Sequence, residues 1–245
     1  MHHFFVNPKA VGEKIITITG TDVNHIKNVL RMKDGEEILI SDGRGHDFFC
    51  EIKSLTEQEI VAEIKDKIFE GTELSCEFYL FQGLPKSDKM EMIIQKAVEL
   101  GVTEVIPVQT KRAVVKLDAK KEEKKLERWR AISESAAKQS RRGIIPRVNH
   151  VMTFLEALKY SEKFDINMIP YENFKDMTET KKVLNQIIPN MKVGIFIGPE
   201  GGFEKSEIEL ALQWGVNRIT LGRRILRTET AGMAILSVLM FQLEQ

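Results

Sequence analysis

Residues 193–206 read VGIFIGPEGGFEKS, the segment with the strongest fold signal in the chain. Its apolar first part, 193–198, is typical of a buried strand in a parallel sheet, because such a strand is covered on both faces. The glycines that follow predict a tight turn, and residues 205–214 have the pattern of a helix. A strand, a glycine turn and a helix in this order indicate an α/β fold with a helix-covered sheet.

The same alternation extends on both sides of this segment, from residue 72 to residue 245. Residues 72–245 are therefore predicted to form one α/β domain. The further strands predicted here are 75–82, 104–108, 165–169 and 218–221, and the further helices are 86–100, 119–140 and 229–242.

Residues 1–71 have the short strand-like segments and turns that are typical of a small β-rich domain. Strands are predicted at 14–19 and 59–68, and a hairpin at 36–53, around the turn Asp42-Gly43-Arg44-Gly45. A short helix capped by Thr21 or Asp22 separates the first strand from the hairpin. These elements predict a compact, barrel-like module.

The composition is ordinary for a soluble globular protein, with 42% hydrophobic and 29% charged residues in 245. The two cysteines, Cys50 and Cys76, form no CxxC pair, and the five histidines are not clustered, so neither a disulfide framework nor a metal site is expected. The longest apolar run, 231–241, is shorter than the roughly 20 residues of a membrane span. Residues 1–9 lack a signal-peptide pattern. We expect a cytoplasmic protein that neither associates with a membrane nor binds a metal ion.

The formal net charge of zero conceals a segregation of charge along the chain. Residues 111–147 contain thirteen Lys or Arg and five Asp or Glu, whereas residues 1–70 contain nine and thirteen. This segregation indicates either an anionic partner or a solvent-exposed charged helix, and the sequence leaves both open.

Three predicted strands end in unusual loops, at 169–172, 198–203 and 222–230. Ligands of open α/β sheets bind beyond the carboxyl ends of strands, so these loops are a candidate pocket. The common nucleotide motifs are absent, since the chain has no GxGxxG and no GxxxxGK[ST] sequence. A glycine loop with only a structural role is the alternative.

Four segments together resemble a known family over nearly the whole chain. They are GLPKSDKMEMIIQKAVELGV (83–102), ESAAKQSRRGIIPRV (134–148), FIGPEGGF (196–203) and LGRRILRTETA (221–231). This set is similar to the bacterial 16S ribosomal RNA uracil-N3 methyltransferase family (RsmE) of the SPOUT superfamily. The resemblance implies a PUA-like RNA-binding β-barrel at 1–71 and a SPOUT methyltransferase domain with a C-terminal trefoil knot at 72–245.

The resemblance also implies S-adenosyl-L-methionine as cofactor, 16S ribosomal RNA of the small subunit as substrate, and a homodimer. The apolar last helix agrees with a dimer, because it has more apolar surface than one covering helix needs. Cofactor contacts are expected from residues of the three loops: Pro170, Phe196, Ile197, Gly198, Pro199, Gly201, Gly202, Leu221, Gly222, Ile225, Leu226, Thr228 and Ala231.

Methylation of uracil N3 requires removal of the N3 proton or stabilisation of the anion. Arg227 is the preferred catalytic candidate, because a guanidinium meets charge developing on O2 or O4. Glu200 and Glu229 are the candidate bases, and their roles are not separable at this point. RNA contacts are expected from a largely basic set: Arg31, Lys86, Arg112, Gln139, Arg141, Arg142 and Arg147.

Four positions depart from the common family pattern. His3 stands where arginine is frequent, Ser87 where glycine is, Lys138 where glutamate is, and Arg223 where proline is. Two other functional classes stay open. One is a non-catalytic RNA-binding protein of the ribosome-assembly type. The other is a different nucleotide-cofactor chemistry such as hydride transfer, which the missing dinucleotide motif disfavours.

Overall fold

The computed structural model describes residues 1–68 and 71–244. The chain divides into two compact units. The first unit contains Met1–Glu73 and Ala137–Ile145, and the second contains Leu74–Ala136 and Pro146–Gln245. Within the described residues, none of the helices combines the length and apolar character that crossing a bilayer requires.

The first unit contains a five-stranded half-barrel sheet in the order β1-β3-β4-β5-β2. Strands β1 and β3 are parallel, and the other neighbours are antiparallel. The strands are β1 His2–Phe5, β2 Ile15–Thr19, β3 Glu37–Ser41, β4 Asp47–Leu55 and β5 Glu59–Ile68. A short helix, α1 Thr21–Asn24, follows β2 and continues into one π turn, His25–Val29.

The predicted hairpin is confirmed by the antiparallel pair β3–β4. In its turn, Gly43 and Gly45 have φ values of 71° and 90°, a region that glycine adopts without a steric penalty. The Asp42 carboxylate accepts hydrogen bonds from the backbone amides of Arg44 and His46. Strand β1 was not predicted, because four residues at a chain end carry little periodic signal.

His3, one of the departures from the family pattern, is buried in β1. Its Nε2 donates to Ser41 Oγ at 2.6 Å, and the Ser41 hydroxyl donates to the Asp47 carboxylate. Burial lowers the pKa of His3 below its ordinary value. The histidine is therefore held inside the sheet as a hydrogen-bonded structural residue.

The second unit is built on a parallel sheet of seven strands in the order β12-β10-β11-β6-β7-β8, with β9 paired to β7. Parallel strands covered on both faces bury nearly every side chain, which explains the apolar runs. The strands are β6 Glu77–Gly83, β7 Val102–Gln109, β8 Arg147–Val148, β9 Met152–Thr153, β10 Ile166–Pro170, β11 Lys192–Ile197 and β12 Asn217–Ile219.

Within the part of the chain that the structure describes, six further helices accompany these strands. The structure bears out the helix predicted at residues 119–140, and it contains two helices that the sequence analysis did not predict, α4 and α5. The helices are α2 Lys89–Glu99, α3 Ala119–Ser140, α4 Phe154–Ser161, α5 Met177–Leu184, α6 Lys205–Gln213 and α7 Thr228–Leu243.

The unpredicted helices do carry start signals in the sequence. Thr153 and Glu156 form a reciprocal capping box before α4, and Asp176 accepts from the amide of Glu179 before α5. Each helix has only eight residues, so its apolar periodicity is short, and the capping pattern was the better signal.

Ser87 has a left-handed backbone, with φ of 57°, just before α2. A side chain is strained in this region, which agrees with the glycine that the family resemblance implies at this position. We expect Ser87→Gly to raise the free energy of unfolding by about 0.5–1 kcal/mol, because the relief of strain exceeds the entropy cost of glycine. Urea denaturation measures the difference. Ser135→Gly, at an exposed position inside α3, is the control and should lower stability by roughly 1 kcal/mol. A Ser87→Gly protein less stable than the parent would contradict this account.

Candidate active site

A cavity of about 510 Å³ lies where the carboxyl ends of β10, β11 and β12 meet. Since these strands are parallel neighbours, their following loops converge at one edge of the sheet. The cavity is formed by the three loops that the sequence analysis singled out. Its lining residues are Pro170–Glu172, Ile197–Phe203, Thr220–Thr228 and Ala231.

All of the predicted cofactor residues line this cavity except Phe196. The Phe196 side chain is 1% exposed, and its ring stacks on Phe81 with the centroids 4.3 Å apart. It therefore belongs to the core of the second unit and not to the cavity surface. Alternation along the strand explains this placement, because Phe196 and Ile197 point to opposite faces of the sheet.

The glycine loop after β11 is tightly folded. Gly202 has φ of 66°, and its amide donates to the Pro199 carbonyl at 2.9 Å. A Cβ atom on Gly198 would lie 3.1 Å from the backbone of Gly202, which is tighter than most real Cβ contacts and would require the backbone to shift by a few tenths of an ångström. Of these three loop glycines, only Gly202 has a positive φ, since Gly198 and Gly201 are not in the left-handed region.

A hydrogen-bond chain ties the glycine loop to the start of α7. Thr228 Oγ1 donates to the Gly198 carbonyl at 2.6 Å, and Gln82 Nε2 donates to Thr228 Oγ1 at 2.8 Å. Gln82 is fully buried at the end of β6 and was missed by the sequence analysis. The signal in the sequence was a glutamine within the largely apolar strand EFYLFQG. A buried side-chain amide needs hydrogen-bond partners, so a glutamine in such a strand indicates a specific polar contact.

The two candidate bases share one ammonium group. Lys89 Nζ lies 3.1 Å from Glu200 Oε1 and 3.2 Å from Glu229 Oε2. Burial by itself raises the pKa of the Glu200 carboxyl, but its own amide, the Lys89 ammonium and the Lys86 amide together hold that pKa below its usual value. These contacts favour the ionised form of the Glu200 carboxylate and weaken it as a proton acceptor. Glu200 lines the cavity, whereas Glu229 is not among its lining residues.

Three arginines lie in the last cavity loop. Arg223, Arg224 and Arg227 are exposed and line the cavity. Among residues 1–68 and 71–244, no carboxylate forms an ion pair with any of the three. Arg227 is also the N-cap residue of α7, with an extended backbone at φ −67° and ψ 156°. The loop therefore presents positive charge to whatever occupies the cavity.

Two of the predicted RNA-binding residues brace the glycine loop. Arg112 Nε donates to Glu204 at 2.8 Å, and its guanidinium also donates to the Gly201 carbonyl at 2.9 Å. The backbone amide of Lys86 donates to the Glu200 carboxylate at 3.2 Å, while its side chain is exposed. The structure thus brings both residues to the edge of the cavity, where they hold the loop in place.

The other predicted RNA-binding residues are distributed over both units. Arg31, Gln139 and Arg141 are exposed in the first unit, and Arg147 is exposed in the second, where it donates to Glu104 at 3.0 Å. Arg142 was also predicted to contact RNA, but its side chain is buried.

The Arg142 side chain is only 4% exposed and forms a salt bridge with Glu73. Because a buried guanidinium bound to a carboxylate is not free to meet RNA, Arg142 is a structural residue. Lys138, another departure from the family pattern, pairs with Asp22 at 3.2 Å in the same unit.

Comparisons with known proteins agree with this architecture. Residues 72–240 match the model of an RNA methyltransferase domain, and residues 18–65 match that of an RNA methyltransferase PUA domain. Ribosomal RNA small subunit methyltransferase E of Bacillus subtilis is 41% identical, over 93% of this chain and 90% of that protein. The protein of the same name from Mesomycoplasma hyopneumoniae is 36% identical, over 97% of this chain and 98% of its own.

A solved structure shows the same fold. Ribosomal RNA small subunit methyltransferase E from Neisseria gonorrhoeae, bound to S-adenosyl methionine, superposes with a TM-score of 0.84 and 31% identity, covering 99% of this chain and 98% of that one. The resemblance of the four sequence segments is thereby confirmed. The chain belongs to the ribosomal RNA small subunit methyltransferase E family, whose members join a PUA domain to an RNA methyltransferase domain.

Proposed function

We propose that this protein methylates N3 of a uridine in the 16S RNA of the small ribosomal subunit, with S-adenosylmethionine as methyl donor. The observation that carries the proposal is the cavity built by three loops, two of which contain family motifs, FIGPEGGF and LGRRILRTETA. The relatives named for small-subunit RNA methylation, and the bound S-adenosyl methionine in one of them, support it.

The cavity suits a ligand of this kind. Its volume of about 510 Å³ is within the usual range of small-molecule sites. Gly198 and Gly202 carry no side chain, so a polar ligand can approach the backbone closely at these two positions. When bound, S-adenosylmethionine supplies an electrophilic methyl group on a cationic sulfur.

The residues at the cavity favour anion stabilisation over a carboxylate base. Arg227 is exposed and unpaired among the described residues, so its guanidinium is free to meet charge on a uracil oxygen. Glu200 and Glu229 instead hold Lys89. We therefore assign the main catalytic role to Arg227 and a structural role to both glutamates.

We further propose that residues 1–71 form the RNA-binding domain and residues 72–245 the catalytic domain. The match of residues 18–65 to a PUA domain supports the first assignment. The trefoil knot of the C-terminal chain stays a prediction from the family resemblance. The exposed members of the predicted RNA-binding set complete the proposal: Arg31, Lys86, Arg112, Gln139, Arg141 and Arg147.

Arg141 offers a clean test of RNA contact. We expect Arg141→Ala to weaken RNA binding and to reduce the slope of log affinity against log salt by roughly 0.7–0.9, because each phosphate contact releases one counterion. Fluorescence anisotropy across a salt series measures both. Lys181→Ala, at an exposed lysine of α5 outside the proposed RNA-binding domain, is the control. An unchanged slope with Arg141→Ala would remove this residue from the RNA surface.

We also propose a homodimer formed through α2 and α7. These helices pack together, and they leave Met92, Val238 and Phe241 exposed by 41%, 50% and 84%. Ile235 and Leu239, two other apolar residues of this last helix, are buried within the chain. The apolar surface left for a partner is therefore smaller than predicted.

Phe241→Glu is expected to shift the protein from twice the chain mass to a 28.1 kDa monomer, because a dimer would bury a charge at its interface. Sedimentation equilibrium at micromolar concentration gives the mass. Leu155→Glu, on α4, places the same charge on another exposed apolar residue and should leave the mass unchanged. A parent protein that sediments as a monomer would contradict the proposed dimer.

Transfer of a labelled methyl group tests the proposed function in vitro. Purified protein is incubated with small ribosomal subunits and methyl-labelled S-adenosylmethionine, and the RNA is digested to nucleosides. We expect the label in 3-methyluridine. Binding of the subunits without any transfer would instead favour the non-catalytic RNA-binding alternative.

A further inference from the structure

We infer that Lys89 is a positioning residue, which joins the glycine loop to the start of α7 and so sets the place of Arg227 at the cavity. The inference rests on the proposed function, since its effect is read in cofactor affinity and turnover. It assigns a role to a residue that contributes nothing to the cavity lining itself.

The contacts of Lys89 connect three distant parts of the second unit. Its ammonium binds Glu200 in the glycine loop and Glu229 in the first turn of α7, at 3.1 and 3.2 Å. The three side chains are 28%, 27% and 14% exposed, so water screens the contacts only in part. The backbone amide of Lys86 adds a second contact to Glu200 at 3.2 Å.

The position of Lys89 is unfavourable for the helix that carries it. Lys89 is the first residue of α2, where the positive end of the helix dipole disfavours a cation. The helix dipole therefore gives no reason for a lysine here. The two carboxylates on other segments do, because an ammonium between them offsets their mutual repulsion.

Helix α2 is a firm anchor for this contact. Its Met90, Ile93 and Ile94 are 3% exposed or less, and the helix packs against α7. Arg227 precedes Glu229 by two residues, in the extended N-cap position. If Glu229 loses its partner, the first turn of α7 loses one of the contacts that fix it beside the glycine loop, the other being the hydrogen bond from Thr228 to the Gly198 carbonyl, and Arg227 lies at that turn.

The test compares Lys89→Met, which removes the charge, with Lys89→Arg, which keeps it. We expect Lys89→Met to weaken S-adenosylmethionine binding about tenfold in calorimetry and to lower kcat about tenfold at saturating RNA, as for loss of a charge-assisted hydrogen bond. Lys89→Arg should recover most of both. Lys96→Met removes another lysine of α2 that also pairs with a glutamate, Glu99, and should match the parent.

A double-mutant cycle separates positioning from a general loss of stability. In the Glu200→Gln/Glu229→Gln protein, Lys89→Met should change cofactor affinity by less than about twofold, because the contact is already lost. Thermal melting of each variant checks that it is folded. Parental affinity and kcat in a folded Lys89→Met protein would overturn the inference, as would an undiminished Lys89→Met effect in that background. If the parent itself neither binds S-adenosylmethionine nor methylates RNA, the proposed function fails instead.

Discussion

Replacing Arg227 by alanine is expected to lower turnover by about a hundredfold to a thousandfold, the largest effect of any exposed residue. Loss of one preorganised donor to a developing anion costs roughly 2.7–4 kcal/mol of transition-state stabilisation. Arg227 lines the cavity beside the glycine loop, and the neighbouring carboxylates of Glu200 and Glu229 form ion pairs with Lys89. Single-turnover methylation at saturating RNA and cofactor measures the effect directly.

Two controls distinguish catalysis by Arg227 from binding. Cofactor affinity of the Arg227→Ala protein should stay close to that of the parent, and Arg227→Lys should recover only part of the rate, because an ammonium lacks the planar fork. Parental turnover in Arg227→Ala would defeat the assignment. A normal rate that requires more RNA would make Arg227 a binding residue.

Gly198→Val is expected to abolish measurable cofactor binding in calorimetry. A Cβ atom at this position would lie 3.1 Å from the backbone of Gly202 and 3.2 Å from the Phe203 ring, and valine adds two methyl groups beyond it. Backbone atoms cannot move aside as a flexible side chain can, so the loop must change shape. Such a change also breaks the contact between Thr228 and the Gly198 carbonyl.

The matched control is Gly215→Val, which places the same side chain at a left-handed turn after α6, away from the cavity lining. It should lower thermal stability and leave cofactor affinity unchanged. Cofactor binding by a folded Gly198→Val protein at parental affinity would contradict the placement of the site.

The strand ends were predictable because buried parallel strands leave apolar runs bounded by glycines. Residues 193–198 have this pattern, and β11 spans Lys192–Ile197. Since ligand sites of such sheets lie beyond the carboxyl ends of strands, the three cavity loops followed from the same pattern. The apolar pattern of α4 and α5 covers too few residues to predict a helix, although Thr153 and Asp176 are recognisable N-cap residues in the sequence.

Contacts between residues that lie far apart in the chain could not be predicted from the sequence. The contact of Lys89 with Glu200 and Glu229 spans more than a hundred residues, and only the folded chain brings the three together. Arg142 was wrongly predicted to contact RNA, because a charged residue is expected at the surface unless a buried partner for it is known. Its partner, Glu73, lies 69 residues earlier.

Mapping of methylated uridines in ribosomal RNA by mass spectrometry, in cells with and without this protein, tests the central claim most directly. We predict one 3-methyluridine in the small-subunit RNA that disappears when the protein is absent. It should return with the parent protein and not with Arg227→Ala. A small-subunit RNA with identical methylation in both strains would contradict the account.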